Sequence, residues 1–364
     1  QLENKMNIGF VGSPNIGSVA LNMIKDSEEF KAFANVFGEG DRIFFISSIF
    51  GGTGAAGFPI LVKNIRQAQN LDVSNKNCLR QAPIGGLTVL PYFNLNNSQG
   101  KSIDKADFVV KTQSALQYYN ETLTGDADRN VNAIFYLGDQ TSSIPYDYDP
   151  GNIRDQHNPA HLVEMVGAMA ALKFTGMADR QFLDGMGGFL PTKAFEYGLD
   201  KDLLDVDFTT FGQETRHLIY RPMVKFHMLF IYMRTALKAI IGQGYTQDEP
   251  KIRSEFTTTQ FYRTLVDQFF DFYTEWLTEM HQNLRHVELF NVGENNLSNI
   301  IHNVVTKKGF FGRKSVDENT FNSEMNKLSR DNKKYSDRTV EYKLLDLFNQ
   351  AAGNILDEKY ENIN

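Results

Sequence analysis

The sequence predicts an α/β fold: a three-layer domain around a parallel sheet over residues 1–175, followed by a helix-rich domain over residues 176–364. Two observations predict the first domain. Three nearly continuous apolar runs, at residues 42–50, 87–93 and 133–137, have the composition of strands that are covered on both faces. Helical stretches separate these runs, and such an alternation of strands and helices is typical of a doubly wound sheet.

Two further patterns extend this domain at its ends. Residues 7–11 form a short apolar run that predicts a strand, and a helical face follows it at Val19, Ala20, Met23 and Ile24. Residues 160–174 carry only two charged side chains, which predicts a long, largely buried helix. Asn158 stands at the N-cap of this predicted helix and Pro159 at its first position, where a missing N–H costs little.

The remainder of the chain reads as mostly helical. Residues 222–241 and 257–284 predict two long helices, and residues 319–360 form a polar, charge-rich helical region. Between them, residues 287–292 alternate between polar and apolar in the way a strand does. The short basic segment at residues 307–314 predicts a solvated loop.

Composition excludes several classes of protein. The formal net charge is −7 over 364 residues, so the chain has no electrostatic reason to hold bulk nucleic acid. No apolar run reaches the length of a membrane span. The single cysteine, Cys78, rules out an internal disulfide framework and a zinc site built from cysteines. Together with the lack of a visible secretory signal, this leads us to expect a cytoplasmic protein.

The most specific signal is a glycine-rich segment directly after the first apolar run, formed by Gly51, Gly52, Thr53, Gly54 and Ala55. Glycines lack Cβ atoms, so the backbone N–H groups of such a segment can approach phosphate oxygens closely. A helix that begins directly after the segment adds the partial positive charge of its N-terminus. The Thr53 hydroxyl can donate a further hydrogen bond. The segment therefore predicts a phosphate-binding loop; the alternative is a tight strand–helix turn without a ligand.

Two common phosphate motifs do not fit this segment. A Walker A motif requires Gly-Lys-Ser/Thr after its glycines, and residues 51–57 contain no lysine. The dinucleotide fingerprint requires another glycine spacing and an acidic residue at the end of the next strand, which the sequence lacks. A plain dehydrogenase is therefore disfavoured.

Residues 44–61 resemble the signature loop of tubulins and FtsZ, in which Gly-Gly-Gly-Thr-Gly-Ser/Thr-Gly holds the phosphates of GTP. Here Phe50 replaces the first glycine, and one additional residue precedes the last. More specifically, the chain is similar to a divergent group of bacterial tubulin-like proteins. Two stretches carry that similarity, Ser-Ser-Ile-Phe-Gly-Gly-Thr-Gly-Ala-Ala-Gly-Phe-Pro at residues 47–59 and Gln-x-Asn-x-Ala-His-x-x-Glu at residues 156–164. The resemblance covers residues 8–210.

The resemblance implies GTP or GDP as the cofactor, with Mg²⁺ as a further candidate. It implies that Asn158 reads the guanine base and that Asp139 contacts the sugar. The alternative for Asn158 is an N-cap alone, with Glu164 pairing with His161 inside the core. A metal at His161 and Glu164 is a weaker alternative, because no third ligand is evident. Residues 12–17 fit either the first phosphate loop of the family or a later segment of its fold.

A second stretch bears on hydrolysis. Residues 205–210 are similar to the FtsZ stretch Asn-Leu-Asp-Phe-Ala-Asp, a loop that enters the nucleotide pocket of the next subunit and positions water. The similarity implies catalytic roles for Asp205 and Asp207, but Thr210 stands where the family has its second aspartate. The alternative for this stretch is an acidic surface loop that caps the next helix.

The sequence as a whole predicts a nucleotide-binding, tubulin-like protein that assembles head to tail with weak GTPase activity. The alternative is a non-hydrolysing nucleotide-binding scaffold within a larger bacterial complex. The expected partners are accordingly a nucleotide and either further copies of the chain or other proteins, without nucleic acid and without a membrane span.

Overall fold

The computed structural model describes residues 10, 14–94, 105–125, 129–140, 159–248, 250–310, 312–330 and 338–361. The chain divides into two compact units, Gln1–Leu203 and Leu204–Asn364. The sequence placed the domain boundary after residue 175, whereas a strand at residues 193–197 still belongs to the sheet of the first unit. The predicted strand at residues 7–11 lies almost entirely outside the described residues.

The first unit combines a sheet with surrounding helices. Its helices are α1 (Pro14–Asn22), α2 (Glu28–Val36), α3 (Gly52–Arg66), α4 (Lys76–Gln81), α5 (Lys105–Thr122) and α6 (Leu162–Gly176). Its strands are β1 (Ile43–Ser48), β2 (Ile84–Val89), β3 (Ala133–Leu137) and β4 (Lys193–Tyr197). Short 3₁₀ turns lie at Met23–Asp26, Ala68–Asn70 and Asp179–Gln181. β1 and β3 lie within the predicted runs at residues 42–50 and 133–137, whereas β2 begins three residues before the run at residues 87–93 and shares only residues 87–89 with it.

All four strands pair in parallel, in the order β1-β2-β3-β4, which confirms the predicted parallel sheet. The pairing brings Ser47 opposite Thr88, and Thr88 opposite Tyr136, so the carboxyl ends of the strands share one edge of the sheet. β1 differs from the expectation of a strand covered on both faces. It is the edge strand of the described sheet, and its Ile46 is 66% exposed.

Helices pack on both faces of this sheet and give the first unit three layers. One core joins the sheet to α2, α3 and α5 through buried residues that include Phe30, Phe58, Val62, Ile84, Tyr119 and Ile134. The other joins it to α6 through Leu87, Phe135, Val163, Ala170 and Phe174. Burial of this many large apolar side chains supplies the main favourable free energy of folding.

Two glycines in the central strand β2 allow the layers to approach closely. A Cβ atom on Gly86 would lie 2.1 Å from the ring of Phe58, a residue of α3. On the other face, a Cβ atom on Gly85 would lie 2.8 Å from both Phe44 and Phe174. Real atoms do not approach so closely, so the strand needs glycine here to admit an aromatic ring on each side.

The far end of α3 is fixed by a buried arginine. The Arg66 guanidinium donates hydrogen bonds to the carbonyl oxygens of Arg80, Ala82 and Asn130, and it stacks over the Phe189 ring at 4.3 Å. Burial lowers the pKa of Arg66 to about 9. These bonds hold α3 against the amino-terminal edge of the sheet, and thereby position its opposite end, which carries the glycine-rich segment.

The second unit is mostly helical, as predicted. Its helices are α7 (Gln213–Thr235), α8 (Leu237–Ile240), α9 (Tyr245–Asp248), α10 (Gln260–Tyr262), α11 (Phe270–Gln282), α12 (Glu318–Arg330) and α13 (Val340–Lys359). A π-helical segment at Arg263–Phe269 joins α10 to α11, and 3₁₀ turns lie at Ser254–Thr258 and Leu297–Asn299. Its strands are β5 (Asp205–Val206) and β6 (His286–Val287), which are parallel, and β7 (Lys308–Gly309) and β8 (Gly312–Arg313), which are antiparallel.

The boundaries in this unit differ from those that the sequence suggested. The first long helix begins at Gln213 and passes through Pro222, where the prediction began it. A proline removes one helical hydrogen bond, but buried residues around it keep the helix continuous. The alternating residues 287–292 contribute only Val287 to a named strand. Among the described residues, no helix is both long and apolar enough to cross a membrane.

Candidate functional site

The glycine-rich segment lies between β1 and α3, at the carboxyl edge of the sheet. β1 ends at Ser48, and α3 begins at Gly52 with Gly51 as its extended N-cap residue. No side chain caps this helix, and its first turn contains no acidic residue. The first amides of a helix have no acceptor within the helix, so those of Gly52, Thr53 and Gly54 are suited to an external anion.

The glycines of this segment also serve packing. A Cβ atom on Gly54 would lie 2.5 Å from the Ser48 carbonyl oxygen, so only glycine allows the helix to start this close to the strand. A Cβ atom on Gly51 would lie 3.0 Å from the Ser48 hydroxyl, which a small rotation of that side chain would relieve. The geometry of the turn alone therefore requires glycine at position 54. A substitution of Gly54 would disturb the turn, so its effect on binding could not be separated from its effect on the fold.

Thr53 and Ala55 have defined contacts in the first turn of α3. Thr53 is exposed, and its hydroxyl oxygen accepts a hydrogen bond from the Phe10 amide at 3.2 Å. That bond does not use the hydroxyl hydrogen, so the hydroxyl can still donate to another group. The Ala55 carbonyl oxygen accepts from the Tyr119 hydroxyl at 3.3 Å. Burial raises the pKa of Tyr119, so this hydroxyl stays protonated and acts as a donor.

A second helix start lies beside this one. Gly17, in the first turns of α1, is so close to α3 that a Cβ atom on it would lie 3.0 Å from the Gly52 carbonyl oxygen and 3.1 Å from Ala56. One turn later, Leu21 lies against Gly57. The two helices therefore run in the same general direction from neighbouring N-termini, and their partial positive charges add. Of the sequence segment at residues 12–17, only residues 14–17 are described, and they belong to α1.

Asp139 lies at the same edge of the sheet, just beyond β3. Its carboxylate accepts a hydrogen bond from the Gln140 amide at 2.7 Å. Two strand spacings separate β3 from β1, or about 10 Å. This is a suitable separation for a sugar contact when the phosphates lie beside α3. Asn158, the predicted base-reading residue, lies outside the described residues.

Sequence reasoning missed an aromatic cluster at this edge. The Phe50 and Phe93 rings are 5.5 Å apart, Tyr92 is 5.1 Å from Phe93, and the His161 ring is 4.7 Å from Tyr92. Aromatic faces of this kind can stack on a flat heterocycle. The position of these residues in the sequence could have indicated the cluster. Tyr92 and Phe93 follow β2 just as Asp139 follows β3, and ligands of open parallel sheets bind outside the carboxyl ends of the strands.

His161 has a structural role that the sequence assigned to Asn158. The long helix α6 begins at Leu162, two residues later than predicted, and His161 is its N-cap residue. The His161 Nδ1 atom accepts a hydrogen bond from the Val163 amide at 3.1 Å, so it carries no proton in this arrangement. Glu164 is exposed, and among the described residues no three His, Cys, Asp or Glu side chains form a group that could hold a metal ion.

The two predicted catalytic aspartates belong to the second unit, and they differ strongly in environment. Asp205 begins β5; its side chain is almost fully exposed and lies 3.6 Å from His286 Nδ1. Asp207 is buried, and its Oδ1 atom accepts from the Thr209 amide and hydroxyl, each at 2.6 Å, and from the Thr210 amide at 3.2 Å. The Thr210 hydroxyl in turn accepts from the Asp207 amide at 3.0 Å. These bonds close a turn before α7 and do not cap the helix, whose N-cap residue is Gly212.

The electrostatics of Asp207 follow from these bonds. Burial raises the pKa of Asp207, but hydrogen bonds from Asn303, Thr209 and Thr210 outweigh burial and leave the pKa below its ordinary value. The carboxylate is therefore ionised at neutral pH and engaged by groups of its own unit.

Comparisons of the chain with protein-family models, with curated protein sequences and with solved structures give no match. The structure defines the chain as a mixed α/β protein with a parallel sheet and a glycine-rich helix start at its carboxyl edge. The resemblance to tubulins and FtsZ stays a prediction from the sequence.

Proposed function

We propose that the chain is a tubulin-like nucleotide-binding protein that holds GTP or GDP at Gly51–Ala55 through backbone amides. One observation carries the proposal: α3 begins directly beyond the carboxyl end of β1 with no capping side chain and no acidic residue in its first turn. The neighbouring N-terminus of α1 adds positive potential at the same place. Such an arrangement attracts phosphate without any lysine or arginine, which suits a chain with a negative net charge.

The rest of the nucleotide has candidate contacts at the same edge. In this proposal, Asp139 accepts a hydrogen bond from the ribose, and the half-buried rings of Phe50, Tyr92 and Phe93 lie near the phosphates at the same edge of the sheet. Asn158 remains the candidate for reading guanine, on the strength of the resemblance alone.

Beyond binding, two functions follow from the resemblance. The first is head-to-tail assembly with weak GTPase activity, in which Asp205 and Asp207 of one subunit reach the nucleotide of the next. The second is a non-hydrolysing nucleotide-binding scaffold. The carboxylate of Asp207, engaged within its own turn, and the hydroxyl at Thr210 favour the second.

Calorimetric titration with GTP, GDP and ATP, each with and without Mg²⁺, tests the binding proposal. The variant Gly52→Val adds a branched side chain to the first residue of α3, which is buried, and we expect it to displace the helix start and abolish binding. The matched control is Gly185→Val, because nothing lies within 4 Å of a Cβ atom at Gly185. A folded Gly52→Val variant that binds as tightly as the parent would remove the proposal, and so would a parent that binds none of the three nucleotides.

A further inference from the structure

The second unit contains a surface cavity of about 460 Å³ between the end of α8 and the segment that follows α9. Small-molecule sites in proteins commonly measure about 300–1,000 Å³, so this cavity is large enough for a small organic molecule. Its walls include two isoleucines, Ile241 and Ile252, and two cations, Lys251 and Arg253. All of its lining residues lie between positions 241 and 254, within one unit of the chain.

The walls of the cavity are held in place by Thr246, which is buried. Its hydroxyl oxygen accepts hydrogen bonds from the amides of Gly242 and Gln243 at 2.8 and 3.0 Å, which fixes the turn after α8. The Ile252 amide donates to the Thr246 carbonyl oxygen at 2.9 Å, which ties the opposite wall to the same residue. Gly242 has a φ of 84°, so the chain can reverse its direction here without strain. The cavity is therefore formed by bonds within the protein, as small-molecule sites usually are.

Both charged side chains that line the cavity are cations. Lys251 and Arg253 are exposed, and within the part of the chain that the structure describes neither side chain has a hydrogen bond or an ion-pair partner. Other cations of this unit are engaged, since Arg221 pairs with Asp357 and Arg234 with Asp271. Two like charges beside one cavity repel each other, and an anion bound between them would be attracted by both.

Two acidic residues lie close to these cations in the sequence, Asp248 and Glu255. The Glu255 carboxylate accepts a hydrogen bond from the Ser254 hydroxyl at 3.3 Å. Neither acid lines the cavity, and neither forms an ion pair with Lys251 or Arg253. The potential inside the cavity is therefore set by the two cations.

The cavity also offers aliphatic surface to a ligand. Ile241 is half-buried, and Ile252 reaches the cavity from the core of the unit. No aromatic side chain of the described residues lines the cavity, so it is not built to stack on a flat ring. Contact with an aliphatic chain would remove the isoleucine surface from water, which is favourable.

We propose that this cavity binds a small organic anion, a molecule with a carboxylate or phosphate group on an aliphatic body. The anionic group lies between Lys251 and Arg253, where the guanidinium group can donate two parallel hydrogen bonds to its oxygens. The aliphatic body lies against Ile241 and Ile252. A free inorganic anion would use the cations alone and leave this aliphatic wall in water. The site lies in the second unit and does not rest on the proposed function.

Methyl NMR of the chain labelled with ¹³C at the isoleucine δ1 methyl groups tests the site, because Ile241 and Ile252 report from inside the cavity. Ile241→Val and Ile252→Val assign the two signals, since each variant removes one of them. We expect sodium hexanoate to shift both signals to saturation and to leave the signal of Ile134, in the core of the first unit, unchanged. Hexanol, which lacks the charge, and acetate, which lacks the chain, should each bind about fivefold more weakly or worse.

Variants of the two cations test the charge. Lys251→Gln and Arg253→Gln should each raise the Kd for hexanoate about threefold, and the double variant should raise it about tenfold. Both side chains are exposed, so these variants keep the fold. Lys308→Gln is the matched control, because Lys308 is exposed in the same unit but does not line the cavity. Gly52→Val should titrate as the parent does, which separates this site from nucleotide binding.

Hexyl phosphate in place of hexanoate identifies the anionic group, and tighter binding of either probe supports the proposal and assigns that group. The proposal is overturned if neither probe shifts the signals of Ile241 and Ile252 at several tens of millimolar. It is also overturned if the double variant of Lys251 and Arg253 binds hexanoate as tightly as the parent, or if hexanol does. Acetate that binds as tightly as hexanoate would show a site for charge alone and would likewise contradict it.

Discussion

Asp207 and Asn303, 96 residues apart in the sequence, are joined by a hydrogen bond of 2.7 Å from Asn303 Nδ2 to Asp207 Oδ2. Asn303 is the one non-glycine residue with a positive φ, 56°, among the described residues, a conformation that asparagine tolerates better than most side chains. With Thr209 and Thr210 on its other oxygen, the Asp207 carboxylate ties the turn before α7 to the segment that follows β6.

The first prediction concerns this bond. Asn303→Asp places a second carboxylate against Asp207, and we expect a loss of about 2–3 kcal/mol in the free energy of unfolding, since a buried charge loses its donor and gains a repulsion. The double variant Asp207→Asn with Asn303→Asp reverses donor and acceptor and should recover most of the loss. Urea unfolding followed by the fluorescence of Trp276, the single tryptophan, measures it. The matched control is Asn303→Gly, which removes the donor without strain at positive φ. Equal stability of Asn303→Asp and the parent would show that the bond contributes nothing.

A second prediction concerns pH. His227 is buried in α7, stacks on Phe290 at 4.0 Å and bonds to the Tyr273 hydroxyl at 3.0 Å. Burial lowers the pKa of His227 to about 3. In the unfolded chain the ring takes up a proton near pH 6.5, so stability is full above that pH and falls by about 1.4 kcal/mol per pH unit as the pH drops towards 3.

Urea unfolding of the second unit at several pH values checks this slope through Trp276 fluorescence, since Trp276 lies beside Tyr273. Phenylalanine cannot take up a proton. Between pH 6.5 and 4.5, the free energy of unfolding of His227→Phe should therefore lack the fall of about 1.4 kcal/mol per pH unit that His227 causes in the parent. It should also be about 1 kcal/mol less stable at pH 7, because the Tyr273 hydroxyl loses its partner. The exposed His217→Gln on the same helix is the matched control. A slope in His227→Phe equal to that of the parent would contradict the prediction.

A third prediction concerns the packing of the first unit. Gly86→Ala drives a methyl group into the Phe58 ring, because the Cβ position lies 2.1 Å from it. We expect a destabilisation of about 1–3 kcal/mol, since a close-packed core repacks at a cost. Adding Phe58→Leu, which shortens the opposing side chain, should recover part of it. Thermal melts followed by circular dichroism measure the change, with Gly176→Ala as control because nothing lies within 4 Å of its Cβ position. If Gly86→Ala had the same melting temperature as the control, the sheet and α3 would have to accommodate the added methyl group without loss of stability, and the prediction would be wrong.

Local patterns were sufficient for the centre of the first unit. β3 is a continuous apolar run, as a central parallel strand covered on both faces must be. β1 also lies in an apolar run although it is an edge strand, and β2 begins three residues before its predicted run. β4 was not predicted, because this edge strand alternates between half-buried and exposed positions over only five residues. The glycine-rich segment was located because a strand end, glycines and a helix start are all local features.

What the sequence could not supply are contacts between distant residues. The bond between Asp207 and Asn303, the ring pair of Tyr92 and His161, and the packing of Gly17 on α3 each join positions whose proximity depends on the tertiary fold. The same holds for residues 307–314, which composition alone predicts to be a solvated loop and which contain the antiparallel strands β7 and β8. Periodicity reports which face of an element is buried, but it does not report what that face meets.

The last prediction is that the chain binds GTP but hydrolyses it slowly, if at all, when alone. In the shared-site hypothesis, a monomer lacks the groups that orient the attacking water. Thr210 stands where a second carboxylate is expected, and a hydroxyl is no base near neutral pH, which commonly costs about 10²–10⁴ in rate. Asp207 is ionised, but its oxygens are occupied by Thr209, Thr210 and Asn303, so it must exchange these partners to meet a neighbouring nucleotide.

GTP turnover measured against protein concentration tests this prediction for the parent, for Asp205→Ala and for Asp207→Ala. Because Asp207→Ala also opens its own turn, the double variant Asp207→Asn with Asn303→Asp is the control that keeps the turn bonded while removing the carboxylate from position 207. If turnover rises with concentration and falls equally in Asp207→Ala and in the double variant, the carboxylate acts in a shared site despite Thr210. If it falls only in Asp207→Ala, the residue acts through the shape of the turn. Rapid turnover that is independent of concentration would mean a self-contained active site, and the shared-site hypothesis would be wrong.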